Sequence, residues 1–331
     1  MDVLNKALLP RRKFIAHLGT LACGPLLSSC EFNVEPVTIG LYVWPGYEPL
    51  PLARTLGWLD EKQVRLVETG SASDSLKLLA AGRIDGAYLT LDKVLRAREN
   101  GIPLSVLLVC DISAGADMLL VRPEIKTLAG IKGRRIGVED GALGALMLYE
   151  VLRVAGLGMG DIRPVSLPGD HHVDAWEHGD IDVAVTSEPA ATRILAMGAN
   201  RLFDSRRTPD LILDVLEVRT PLLDRAHADA LHHLVATHLR ALRHINTDPD
   251  DASYRMAQHL KLPHEQVMAA FRGLVLPGLN DNIRLLAASP PELLKSVKVI
   301  CATLCQAGLL HRQANVDGLL RPEYLPEPET S

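Results

Sequence analysis

Aromatic residues are scarce: four Phe, six Tyr and three Trp in 331 residues. The core must be aliphatic, so an aromatic in a loop is a candidate for contact with something other than the core. Charge of one sign is lacking too. The formal net charge is −5, without the clustered basic face that a phosphate backbone demands, and nucleic acid is not an expected partner. Beyond position 35 there is no apolar run of about 20 residues, the length of a membrane-spanning helix. Cysteine is limited to five, in no spacing that resembles a zinc site. Phosphate-loop motifs are missing, as is any coupled set of nucleophile, base and orienting group. The chain is therefore not read as an enzyme, and neither a cofactor nor a metal is expected.

The N-terminus reads as an address. Arg11, Arg12 and Lys13 are followed by an apolar stretch from Phe14 to Leu27, too short and too broken by Gly24 and Pro25 for a spanning helix. The Arg pair resembles a twin-arginine signal, although Pro10 stands where a small polar residue is usual, so twin-arginine and general export both remain open. Leu27-Ser28-Ser29-Cys30 resembles a bacterial lipobox, which implies cleavage before Cys30 and lipidation of its thiol. Residues 1–30 are then signal and 31–36 tether. Cys110, Cys301 and Cys305 remain in the mature chain, and the favoured reading is buried thiols acting as small hydrophobes.

The apolar share of 47% and charged share of 23% are those of a globular chain. Its length suits two domains of about 100–200 residues each. A repeat gives that estimate a shape. Val37-Thr38-Ile39-Gly40-Leu41 recurs as Arg134-Arg135-Ile136-Gly137-Val138, and Gly82-Arg83-Ile84-Asp85 recurs as Gly179-Asp180-Ile181-Asp182, both 97 positions on. Each copy alternates strand and helix. Strands are expected near 37–43, 64–69 and 84–89, then near 135–139, 163–167 and 181–186. Helices are expected near 48–60, 73–82 and 91–100, then near 142–156, 171–178 and 188–197. Such alternation predicts an α/β fold of two lobes, each a mainly parallel sheet flanked by helices. The apolar runs at 116–123 and 212–219 are taken as a two-strand hinge. Lobe 1 would comprise 37–115 and 220–331, lobe 2 116–219, with a helical C-terminal segment packing back on lobe 1.

This order resembles the type II periplasmic solute-binding proteins, and within them the nitrate, sulfonate, taurine and thiamine-precursor branch of ABC-transporter binding proteins. The stretches that carry the resemblance are Trp44-Pro45-Gly46-Tyr47-Glu48-Pro49-Leu50, Leu79–Ala87, Leu128–Val138 and Ile181–Pro189. It implies a protein that closes two lobes around a small molecule and hands it to a permease and ATPase carried on separate chains. A monomer held to the membrane by its lipid is expected.

In open α/β sheets, ligands bind beyond the carboxyl ends of the strands. That rule selects the loops 44–47, 70–73, 90–92, 111–115, 139–144 and 186–189. The candidate contacts there are Trp44, Tyr47, Ser71, Ser73, Thr90, Asp92, Asp111, Ser113, Glu139, Gly141, Thr186 and Glu188. Ser73 is the expected helix cap and Ser71 the hydroxyl that meets the ligand. His171 and His172 begin a second-lobe helix that can approach the cleft, with a surface pair the favoured reading, and the histidines of the helix near 227–246 are expected in structural or solvated roles. These loops hold several carboxylates and no Lys or Arg. That favours a planar, nitrogenous ligand over a simple oxyanion, with a sulfonate-like ligand still open. Two further functions stay in view: a periplasmic sensor for a membrane signalling protein, and an enzyme like the thiamine-precursor synthase that shares the fold.

Overall fold

The computed structural model describes residues 35–139, 142–188, 190–209, 211–312 and 315–327. Cys30, the signal and tether as far as residue 34, and Gly141 lie outside them. The first repeat unit forms β1 (Val37–Leu41), α1 (Pro49–Thr55), β2 (Val64–Glu68), α2 (Ala72–Ala80), β3 (Gly86–Thr90) and α3 (Leu91–Glu99). Strands β4 (Leu104–Ser113) and β5 (Met118–Val121) follow. The second unit forms β6 (Arg135–Val138), α4 (Ala142–Ala155), β7 (Arg163–Ser166), α5 (His172–Glu177), β8 (Val183–Thr186) and α6 (Ala190–Ala196). Then come β9 (Asn200–Asp204) and β10 (Leu213–Arg219), and the C-terminal elements α7 (Ala228–Thr247), α8 (Pro249–Leu260), α9 (His264–Ala270), β11 (Leu274–Val275), α10 (Leu279–Leu286) and α11 (Leu293–Gln306).

The repeat holds down to single hydrogen bonds. The Asp85 carboxylate accepts the Thr38 N–H at 2.9 Å and its hydroxyl at 2.7 Å. Asp182 accepts the Arg135 N–H at 3.0 Å and a guanidinium N–H at 2.7 Å. Gly40 lies under Ile84 and Gly137 under Ile181, where a Cβ would come within 2.6 and 2.7 Å of the isoleucine Cδ1 atoms. Gly82 and Gly179, with φ of +65° and +72°, supply the left-handed residue that ends each preceding helix.

Two sheets result, ordered β11-β4-β10-β3-β1-β2 and β7-β6-β8-β5-β9. β2-β1-β3 and β7-β6-β8 are parallel, as expected, and antiparallel neighbours make both sheets mixed. Antiparallel β10 lies between β3 and β4, and antiparallel β5 between β8 and β9. The runs expected as hinge strands are thus central sheet strands, buried on both faces and apolar for that reason. In particular 213–219 belongs to the first sheet, although it was expected to close lobe 2. The chain crosses between sheets at 113–118 and 204–213. There Ser113 Oγ and Ser205 Oγ are hydrogen-bonded at 2.7 Å. Gly115 N–H donates to Ser205 Oγ at 2.7 Å, and Asp117 N–H donates to Ser113 Oγ at 3.2 Å.

Helices cover both faces of each sheet. On one face of the first, Leu50 of α1 packs with Leu231, Leu234 and Val235 of α7, so the C-terminal segment does return to this lobe. On the other, Val94 and Leu95 of α3 meet Val297 and Ile300 of α11, in a core that continues through Leu146 and Val151 of α4. His238 of α7 is fully buried, its Nδ1 2.7 Å from the Tyr88 hydroxyl. No helix among the described residues is long and apolar enough to cross a membrane.

Candidate functional site

A cavity of about 530 Å³ opens between the two sheets at the carboxyl ends of their parallel strands. The first sheet contributes Tyr42 and Trp44 after β1, Ser71 after β2 and Thr90 at the end of β3. The second contributes Glu139 after β6, and Thr186 and Glu188 after β8. Asp111 and Ser113 reach it from the end of β4, Asp117 from the first crossing, and Asp214 from β10.

Thr90, Asp214 and Asp111 are register partners in one row across β3, β10 and β4. Asp111 is 1% exposed and Asp214 4%. Each carboxyl is close enough to perturb the other, and like charges so close favour uptake of protons. Burial raises both groups. Asp111 is pushed up to about 7, against the pull of the Trp44 indole N–H. Asp214 goes well above the carboxylate range, through burial first and the Asp111 charge second. The indole Nε1 donates to Asp111 Oδ2 at 3.0 Å. Gly46 makes room for this contact, since a Cβ there would fall 1.7 Å from the same oxygen. Asp117 is pushed up to about 6 by burial, opposed by its bond with Ser113 and the Lys93 charge.

The twelve sequence-predicted site residues divide by whether they line the cavity. Trp44, Ser71, Thr90, Asp111, Ser113, Glu139, Thr186 and Glu188 all line the cavity. Three others do not. Tyr47 is fully buried behind it, stacked on Tyr88 with centroids 4.7 Å apart, and its hydroxyl lies 3.3 Å from that of Tyr42. Ser73 is exposed on α2, and Ser71 is both the cap of that helix, accepting the Asp74 N–H at 3.2 Å, and the hydroxyl facing the cavity. Asp92 turns into the body of the lobe, where its Oδ2 meets no partner among the described residues. The twelfth, Gly141, lies outside the description. Glu188 also accepts the Thr192 N–H and hydroxyl, so it caps α6 from the cavity rim.

Sequence reasoning missed Tyr42, Lys93, Asp117, Arg193 and Asp214, all of which line the cavity, and placed His172 on the surface although it is 1% exposed and lines the cavity too. Lys93 and Arg193 correct the expectation of a cleft without cations. Lys93 Nζ donates to Thr90 Oγ1 at 3.4 Å and is itself 8% exposed. A charged residue inside the apolar run Ile212-Leu213-Asp214-Val215 was the available signal for Asp214.

Two mixed α/β sheets joined by paired crossings, with a cavity between them, define the two-lobe periplasmic-binding-protein fold. Residues 31–261 match the NMT1-like family, and the chain belongs to it. Two curated relatives come from Escherichia coli (strain K12). A protein named for binding aliphatic sulfonates is 27% identical over 195 residues, 57% of this chain and 60% of that protein. The taurine-binding periplasmic protein is 24% identical over 171 residues, 51% of this chain and 53% of its own. The chain therefore matches little more than half the length of these relatives. The crystal structure of the periplasmic aliphatic sulphonate binding protein SsuA from Escherichia coli superposes with a TM-score of 0.71 at 19% identity, covering 87% of this chain and 97% of that one. At that identity the likeness shows the fold, and a fold alone does not choose between binding and chemistry.

Proposed function

We propose that the chain is an exported, lipid-anchored solute-binding protein that captures a small molecule between its two lobes and delivers it to an ABC importer. The observation that carries this reading is the cavity itself, lined from both sheets and placed beside the paired crossings. A ligand that touches both lobes favours the arrangement in which they are drawn together. The sulfonate- and taurine-binding relatives support the same role. The permease and ATPase are separate chains, the protein acts as a monomer, and Cys30 carries the lipid. The ligand is a small nitrogenous, heterocyclic or sulfonate-like molecule.

The test is a thermal-unfolding screen of the full chain against amines, pyrimidines, alkanesulfonates and nitrate. A true ligand raises the melting temperature in proportion to the logarithm of its concentration, and mass spectrometry recovers it unchanged. If no small solute moves the transition, the reading fails. Recovery of a converted product would replace it with catalysis.

A further inference from the structure

We propose that the Asp111–Asp214 pair is a subsite for a positively charged nitrogen of the ligand. The proposal rests on the solute-binding reading above and deepens it.

Three observations converge on the pair. The two carboxyls lie opposite one another on neighbouring strands at the cavity lining. Asp214 Oδ1 is buried and has no hydrogen-bond partner among the described residues, a cost a protein rarely carries in a cavity wall without an incoming donor. The turn carrying Trp44 is fastened to Asp111, the other carboxylate of the pair, by the indole N–H, which places an aromatic side chain beside the pair.

The surrounding charges leave room for a cation. From the turn after β1, the hydroxyls of Tyr42 and Tyr47 stay protonated, each held well above its ordinary value by burial and then by Asp214. On β4 the Cys110 thiol is likewise raised, by burial first. From the crossing comes Asp117, and from beyond β6 comes Glu139. From α3 comes Lys93, whose charge acts on Asp214. Across the cavity Lys93 and Arg193 face Asp111, Asp214, Asp117, Glu139 and Glu188, so a cationic group can take the place of a proton on the pair without leaving the site overcharged. A ligand ammonium or amidinium N–H then donates to Asp214 Oδ1, and the displaced proton goes to solvent.

Two matched probe pairs test this by calorimetric titration of the full chain between about pH 5.5 and pH 8. Taurine is set against isethionate, its hydroxyl isostere, and benzylammonium against benzyl alcohol. We expect each ammonium-bearing probe to bind about tenfold or more tightly than its hydroxyl isostere. Its affinity should climb with pH toward neutrality, with net release of protons, because both carboxyls are held above the ordinary carboxylate range. In Asp214→Asn the preference and the proton release should both vanish. Should that variant not fold, the wild-type isostere ratio and pH profile decide alone. Equal or tighter binding of the hydroxyl isosteres, or a preference that survives in Asp214→Asn, overturns the proposal. If none of the four probes binds while another solute raises the melting temperature, the cation subsite falls and the solute-binding reading stands. If no solute does, both fall.

Discussion

Gly46 shows how much a single position fixes at this site. A methyl group there would meet Asp111 Oδ2 at 1.7 Å and the Trp44 Nε1 at 2.9 Å, so Gly46→Ala must push the aromatic turn off the carboxylate. Overpacking of this kind costs about 1–3 kcal/mol, and urea unfolding should show a loss of that size together with weaker solute binding. Asp117 offers a prediction in pH. Its folded pKa of about 6 lies above the unfolded value of about 3.9. The native state therefore holds this proton more tightly, and the contribution to stability is full below about pH 4 and fades as pH rises through 6. Asp117→Asn should gain on wild type by about 2–3 kcal/mol between pH 4 and pH 8, read from urea midpoints at the two pH values. His238 runs the other way: burial lowers it to about 3, so its contribution is full above about pH 6.5 and is lost as pH falls. Asp111 was legible from the sequence because it sits at a strand end, where the topological rule points. Asp214 was not, because its register partner lies about a hundred residues away and only the sheet brings the two together.

Among the elements, the duplicated strand–helix unit was the most legible feature. The motif encodes steric and hydrogen-bond requirements that the structure displays twice: glycine under isoleucine, aspartate on the N–H of the first strand. Asp85→Ala should cost about 1–3 kcal/mol in chemical unfolding by leaving the Thr38 N–H without its partner. Ser71→Ala, which removes the α2 cap, should cost about 1 kcal/mol. The cations were illegible for a reason of helix geometry. Side chains in the first turn point back toward the N-terminus, so Lys93 of α3 and Arg193 of α6 reach the cavity although they follow the loops in sequence. A census that ends at the loop misses them. The same rule turns Ser73 and Asp92 away, since successive helical residues lie about 100° apart.

At the scale of the molecule, the joint between the lobes is a small clasp of serine hydroxyls and backbone N–H groups linking the two crossings. Ser205 Oγ holds both Ser113 Oγ and the Gly115 N–H. Ser205→Ala should alter the balance of separated and closed lobes with little change in the sheets, measurable as a shifted radius of gyration by solution scattering with unchanged circular dichroism. The boundary misread at 212–219 also has its origin at this scale. Local patterning marks β10 as a buried strand, but nothing local says which sheet it completes.

The placement of β10 carries a consequence for the order in which the molecule is built. The second sheet is closed within one continuous stretch, from Met118 to Asp204. The first cannot join β3 to β4 until Leu213–Arg219 arrives between them. A growing chain therefore possesses every strand of its second sheet while its first is still open at the middle, and the ends of that gap are held apart by an entire finished lobe. Pulse-labelled hydrogen exchange during refolding should find the amides of β5 and β8 protected before those of β3 and β4, since the shorter loop closes first. The half of the molecule that comes first in sequence is the half that is completed last.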